Sequence, residues 1–378
     1  MNEDNKEKLI SIILSAFGLP SKDYGINTID IDVISSIAIR QNILPIVVEG
    51  LKNLGYSDLL TDQMNKYDAK AIYDYTQRMV SLDEITQAFE SASICYIPLK
   101  GSAIRDLYPN AWMRTSADID VLIKKDDIEK AIHVLENQTS FSFTKLDNHE
   151  VHFVNKHVHL ELHYYIETAV DRGGCSFSDP WDYVLTSEDS CACSFTQEYN
   201  IFYIVTHAAK HFIKNGGMGI RPVLDIYILK SNSTFDDDKV KTLCKNAGEL
   251  GFYEMVCKLI DVWFYGDSHD EYSAIFEDIV FDGGVFGSQH LRIVSNKRHD
   301  SGKHYIGRRI FKTSKELKSY FPKCKKYPVL VPFFQVVRWI QLLKSKQPNA
   351  YVAEFKKADS IDQAEVEKYD KLLSAMGF

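Results

Sequence analysis

No stretch of this 378-residue chain reaches the roughly 18 consecutive apolar residues that a membrane-spanning helix requires. The nearest approach, Tyr327 to Leu343, is interrupted by Pro332, Gln335, Arg338 and Gln341 and reads as a buried or interfacial segment. An early basic-plus-apolar stretch is also missing. Met1 to Lys8 is charged and polar, so a cytoplasmic protein without a secretory leader is expected. Cysteines number seven, an odd count. Only Cys191 and Cys193 lie close together, and no second pair completes a zinc tetrad, so reduced structural thiols are expected. In that setting the glycosylation-like triplets at Asn137 and Asn232 carry no weight. The chain also has no Walker-type phosphate loop, no H-E-x-x-H and no G-x-S-x-G, which removes three large enzyme classes.

What is present begins with an ordinary globular composition, 45% hydrophobic. A chain of this length suggests two or three units. The net charge of −8 argues against a general nucleic-acid binder. That average hides an asymmetry: from Arg292 to Lys346 fifteen Lys or Arg face only Asp300 and Glu316. The basic groups include Lys297-Arg298, Arg308-Arg309, Lys323 and Lys325-Lys326, interleaved with Tyr305, Phe311, Tyr320 and Phe321. A solvated basic exterior is the commoner meaning of such a run. A patch for a polyanion, RNA included, is the sharper one.

Periodicity divides the chain in three. Residues 1–92 read as a helical N-terminal domain, with Leu9, Ile12, Ile13 and Phe17 at helical spacing and no Gly or Pro from Leu60 to Ala92. Residues 93–190 read as a small mixed α/β core. It has a short strand at Ile94 to Leu99, a helix opened by Gly101-Ser102 and a strand at Asp118 to Ile123. A helix from Asp126 to Leu135, with Asp126 as its N-cap, precedes strands at Phe141 to Lys145, Glu150 to Val154 and His157 to Tyr165. Residues 191–378 read as a helical C-terminal domain containing the basic segment. The fold class expected is α+β, a small mixed sheet flanked by helices on both sides.

The informative segment is Leu99-Lys100-Gly101-Ser102 followed by Arg114 to Ile123. Asp118 and Asp120 stand two apart on a strand, so both carboxylates leave the same face. Like charges so placed repel unless a cation sits between them, and oxygen-only pairs suit Mg2+ together with substrate phosphates. Gly101 allows close backbone approach, and Ser102 with the following amides would form an anion-binding helix N-terminus. In His157-Val158-His159-Leu160-Glu161-Leu162-His163 strict alternation puts the polar residues on one face and Val158, Leu160 and Leu162 on the other. If that strand lies beside Asp118 and Asp120, Glu161 supplies a third carboxylate.

A Gly-Ser opening a helix, an Asp-x-Asp strand and a later strand with one central acid resemble the polymerase-beta nucleotidyltransferase superfamily. More narrowly, Leu99 to Ile123, Glu161 and His207 to Asp225 resemble a bacterial family of uncharacterised nucleotidyltransferases. The resemblance covers Ile94 to Lys230 well and the tail to Arg338 more loosely. It implies a nucleoside triphosphate held by the Gly101-Ser102 turn, and two Mg2+ ions held by Asp118, Asp120 and Glu161; Lys100, which departs from the generic pattern, is a further nucleotide-binding candidate. One ion would activate an acceptor hydroxyl for in-line attack on the α-phosphorus and the other would align the triphosphate. The third acid is Glu where polymerases commonly have Asp, so it could be a metal ligand or a general base. His207, Lys210 and His211 share one helical face. Lys210 is expected to reach the β- and γ-phosphates, or else to belong to a polar surface stripe. Arg221 and Asp225 could form a simple i,i+4 pair, and Arg114 is a further phosphate candidate.

Other readings use fewer of these features. His157, His159 and His163 could hold Zn2+ in a hydrolase, which leaves Gly101, Ser102, Asp118 and Asp120 unexplained. A helical adaptor with a degenerate transferase fold would have no need of intact carboxylates. Among acceptors, a small hydroxylated molecule is favoured by the acidic balance. RNA or a protein hydroxyl, as in a toxin-like enzyme, comes second.

Overall fold

The computed structural model describes residues 2–147, 149–168, 179–285, 287–297, 311–314, 316–317, 321, 327–344 and 360–378. Helices α1 (Glu3–Ala16), α2 (Thr28–Gln41), α3 (Leu44–Asn53) and the thirty-residue α4 (Asp62–Ser91) come first. Their starts are locally encoded. Asn27 and Asp30 form a reciprocal capping box for α2, and Thr61 caps α4 by accepting from the Met64 amide. With neither Gly nor Pro inside it, α4 runs uninterrupted.

A five-stranded mixed sheet follows, in the order β1-β2-β5-β4-β3. Its strands are β1 (Tyr96–Pro98), β2 (Asp118–Ile123), β3 (Ser142–Leu146), β4 (Glu150–Val154) and β5 (His159–His163). The single turn α5 (Gly101–Ile104) links β1 to β2, and α6 (Ile128–Gln138) links β2 to β3. Strand β2 runs parallel to β5, and the other neighbours are antiparallel. One expected boundary moves. Asp126 falls in a 3-10 turn, and α6 starts after Asp127 without a side-chain cap bond.

Strands β6 (Val184–Thr186) and β7 (Cys193–Phe195) form a hairpin leading to α7 (Gln197–Asn215), α8 (Arg221–Ser231), α9 (Asp237–Ala247), α10 (Leu250–Tyr265) and α11 (Glu271–Asp282). Helices α12 (Gln289–Lys297), α13 (Val331–Lys344) and α14 (Gln363–Ala375) complete the described elements. The segment read as buried or interfacial is mostly α13, which leaves Val329 just before it, and Phe333, Val336 and Ile340 on it, exposed. Much of the basic segment, including Arg298, Tyr305, Arg308, Arg309, Tyr320, Lys323, Lys325 and Lys326, lies outside the described residues, as do Cys175 and Cys324.

Packing groups these elements differently from chain order. One apolar cluster runs from Leu9 on α1 through α2, α3 and α7–α11 to Met376 beyond α14, so the first and last helices share a core. Gln41 shows the join: fully buried, its amide donates to the Val280 and Gly283 carbonyls at 2.8 and 2.7 Å and accepts from the Ile220 amide at 3.0 Å. A second cluster lies beneath the sheet, where Ile119, Val121, Ile123, Leu160 and Leu162 meet Ile85 and Phe89 of α4 and Leu135 of α6. The alternation of β2 and β5 therefore buries one face and turns Asp118, Asp120, His159, Glu161 and His163 to the other.

Candidate active site

Parallel pairing of β2 with β5 sets Asp118 opposite His159 and Asp120 opposite Glu161, and antiparallel pairing of β4 sets His152 opposite Glu161. A polar row thus crosses three strands. Asp120, 3% exposed, accepts from Lys100 Nζ at 2.6 Å, and its Oδ1 lies 2.9 Å from His163 Nε2. Burial alone would raise its pKa, but the Lys100 charge and the His163 contact outweigh that and hold the carboxyl well below the usual range. Asp118 and Glu161 move the other way. Burial and the neighbouring Asp120 charge raise Asp118, and the same causes push Glu161 up to about 8.

The cation expected between the carboxylates is thus supplied, in part, by the chain. Lys100 achieves this through an unusual backbone, with φ 47° and ψ −123° at a side-chain-bearing residue. Conformations of this kind cost on the order of 1–3 kcal/mol and persist where the surroundings over-determine them. Among the described residues, Asp120, Glu161 and His163 bring donor atoms within 4.8 Å of one another. Asp118 stands outside that trio but lines the same cavity, so the expected carboxylate triad is partly recast, with an imidazole in the inner set.

The Gly-Ser turn is also revised. The helix it opens is one turn long, and the amides of Ser102, Ala103 and Ile104 donate to the Leu99 and Lys100 carbonyls instead of standing open for an anion. Gly101 is closely packed, since a Cβ there would lie 3.3 Å from Arg114 Nη1. Arg114 is not free for phosphate. Its Nε and Nη2 grip Asp225 at 2.7 and 2.8 Å, and its Nη1 donates to the Thr115 carbonyl at 2.8 Å. The pair is buried, with the two side chains 6% and 4% exposed, and Tyr108 donates to the same carboxylate at 2.7 Å. Because Arg114 takes Asp225, the expected Arg221–Asp225 pair gives way, and Arg221 Nη1 donates to the Thr115 carbonyl at 3.0 Å.

Two cavities meet at Glu161. One, of about 560 Å³, is lined by Gly101, Asp118, Asp120, Arg221 and His211 among others. The second, of about 400 Å³, is lined by Asp147, Glu150, Tyr165, Glu167 and Lys210 among others. Lys100, Glu161 and His207 line both. The face of α7 expected to present His207, Lys210 and His211 does so, but Lys210 lies in the second cavity, 2.5 Å from Glu167. Burial and the Lys100 charge keep His207 neutral, well below its ordinary pKa, and the same causes push His211 down to about 4.

The histidines read as a zinc set do not converge. His157 lies outside β5 with its ring against Tyr73, His159 faces His152, and His163 faces Asp120. Sequence reasoning missed Arg78 and Arg105, both buried behind the Gly-Ser turn. Arg105 donates to the Gly101 carbonyl at 2.7 Å and lies 3.5 Å from Ser102 Oγ. Burial and its neighbours Arg78 and Arg114 push its pKa down to about 10. Arg78 keeps a buried Nε with no hydrogen-bond partner. Nothing in the local sequence marks an arginine as buried, because α4 folds over the turn only in three dimensions.

A family model described as "Uncharacterised nucleotidyltransferase" matches residues 27–265. No curated protein matches the chain. A solution structure of the antibiotic-resistance factor ANT(2'')-Ia is similar at 10% identity and a TM-score of 0.35, covering 51% of this chain and 99% of that one. At that score the likeness carries no argument.

Proposed function

The chain belongs to this family of nucleotidyltransferases, and on that premise we propose that it moves a nucleoside monophosphate from a triphosphate to the hydroxyl of a small acceptor. The observation that carries the reading is the meeting of two cavities at Glu161, with Asp118 and Asp120 lining the larger of them, one cavity for each substrate. The larger suits the triphosphate. Arg221 lines it, and the guanidinium groups of Arg78 and Arg105 raise the potential behind Ser102, where an anion would offset buried positive charge. The smaller suits the acceptor, whose hydroxyl Glu161 would orient at the junction.

The donor set fits a hard divalent cation. Asp118, Asp120 and Glu161 offer oxygens only, and the burial and mutual repulsion that raise two of their pKa values are what such an ion offsets. These residues would hold two Mg2+ ions, which when bound offset triphosphate charge and favour ionisation of the acceptor hydroxyl. Lys100, released from Asp120, would then be available to the phosphates.

The direct test incubates the chain with each of the four triphosphates, labelled at the α-phosphate, and fractionated small molecules. Label transferred to an acceptor supports the reading, and pyrophosphate release without transfer opposes it. Glu161→Gln should lower the transfer rate by about 10²- to 10³-fold, comparable to the loss of one transition-state contact in an enzyme. His157→Ala and His159→Ala should stay within a few-fold. The reverse ordering in initial rates would return the site to the histidines.

The acceptor cavity also speaks to RNA. Asp147, Glu150, Glu161 and Glu167 line it, a poor match for a polyanion. Binding to tRNA at physiological salt is expected to be weak or absent in a filter or anisotropy assay. Tight binding would show itself by a log–log salt slope of roughly −0.7 per phosphate contacted in a single strand. Such a slope, lost on reversing Arg308 and Arg309, would make RNA the acceptor.

A further inference from the structure

We propose that Asp147, Glu150 and His152 form a second metal site, for a divalent transition ion such as Zn2+, on the β3–β4 hairpin. His152 Nε2 stands 3.3 Å from Asp147 Oδ2 and 3.3 Å from Glu150 Oε1, and the three donor atoms lie within 4.8 Å of one another. Donors bound at about 2.0–2.1 Å to a tetrahedral ion are about 3.3–3.4 Å apart, so the two nitrogen–oxygen edges already have the length that zinc imposes. A second observation points the same way. Nε2 is buried and makes no hydrogen bond, although two carboxylate oxygens face it. The other ring nitrogen, Nδ1, lies 3.3 Å from His159 Nε2 and 3.9 Å from Glu161 Oε1. If Nδ1 carries the ring's proton toward those acceptors, Nε2 presents a bare lone pair to two anions. A cation at that point would take the two facing carboxylates and the imidazole as ligands.

Position separates this site from the transfer centre: its three ligands sit on the β3–β4 hairpin, whereas the inner set there, Asp120, Glu161 and His163, joins β2 to β5. One imidazole with two carboxylates admits zinc-like ions, whereas Mg2+ prefers oxygen alone. Both carboxylates line the acceptor cavity, so the remaining coordination position opens there. Lys145 contacts Asp147 Oδ2, and it extends into solvent where it can swing clear. The site also reaches the transfer centre. Glu150 Oε2 lies 3.2 Å from His163 Nδ1, and His163 Nε2 lies 2.9 Å from Asp120. An ion that fixes Glu150 thereby fixes the imidazole that orients Asp120, as outer partners do at metal centres.

The proposal is independent of the transfer reaction and is tested by binding alone. The full chain is stripped of metal, held in excess Mg2+ to occupy the carboxylates of the transfer centre, and titrated with Co2+ as a spectroscopic substitute. One Co2+ per chain with visible absorption bands, displaced by Zn2+, is expected. Asp147→Asn, at a partly exposed residue, and His152→Gln should each weaken binding by about tenfold or more. Asp118→Asn should leave it unchanged. Absence of a stoichiometric Co2+ signal in the unmodified chain overturns the proposal. So does a signal that survives His152→Gln but disappears in Glu161→Gln, because the ion then belongs to the transfer centre.

Discussion

Asp118→Asn and Asp120→Asn are each expected to lower nucleotidyl transfer by about three orders of magnitude, and to move stability in opposite directions. Charge stabilisation at a metal-assisted phosphoryl centre amounts to several kcal/mol, and each 1.4 kcal/mol is tenfold in rate. The stability effects follow from different surroundings. Asp120 is the counterion of Lys100, so an amide there leaves a buried ammonium without its carboxylate, and the unfolding midpoint should fall. Asp118 has a raised pKa, so its folded form binds the proton more tightly than the unfolded form does. Its charge therefore opposes folding at any pH above the ordinary carboxylate range. Asparagine removes that opposition, and Asp118→Asn should melt at or above the temperature of the unmodified chain at neutral pH. Thermal unfolding and initial rates on the same preparations check both halves. Retention of activity in either variant would falsify the assignment.

The second large effect concerns the buried pair that holds α8 to the chain entering β2. Arg114→Met should destabilise the protein by about 3–5 kcal/mol, the usual consequence of removing one partner from a buried ion pair. The stranded group is Asp225, left with Tyr108 as its remaining donor among the contacts described above. Asp225→Leu should have a similar effect through Arg114. The double variant should recover part of the loss, because two apolar groups of matched size leave neither charge unpaired. A double-mutant cycle by chemical denaturation measures the coupling, and strict additivity would show that the two side chains do not act on each other. Because Arg114 also lies against Gly101, both single variants should weaken triphosphate binding, read by thermal shift, as well as the fold.

The sequence made one half of this centre legible. Alternation in residues 157–163 assigned the polar face, and the same logic applied to Asp118 and Asp120 is what the register aligns. Those are period-two facts, carried by neighbours in the chain. The other half depends on partners far apart. Arg114 meets Asp225 across 111 residues, so a phosphate candidate became a structural pair. Lys100 reaches Asp120 because of a backbone conformation that no propensity scale assigns to lysine. The anion-binding role expected of Ser102 assumed a longer helix than the single turn that forms. Helical periodicity likewise identified the N-terminal helices but not all of their core, since Gln41 finds its partners more than 150 residues away.

Lys100 on Asp120 has a consequence for the order in which ligands arrive. A centre that already carries its own ammonium does not simply gain a divalent ion: it exchanges one cation for another. The incoming ion must displace a group that is tethered, and so present at high effective concentration, which lowers its apparent affinity in the absence of substrate. A triphosphate changes the balance by giving the displaced ammonium a new anionic partner. Metal and nucleotide should therefore load together, each raising the other's affinity by the same factor. Removing the tethered competitor with Lys100→Met should abolish that reciprocity and leave a centre that takes up metal without waiting for nucleotide.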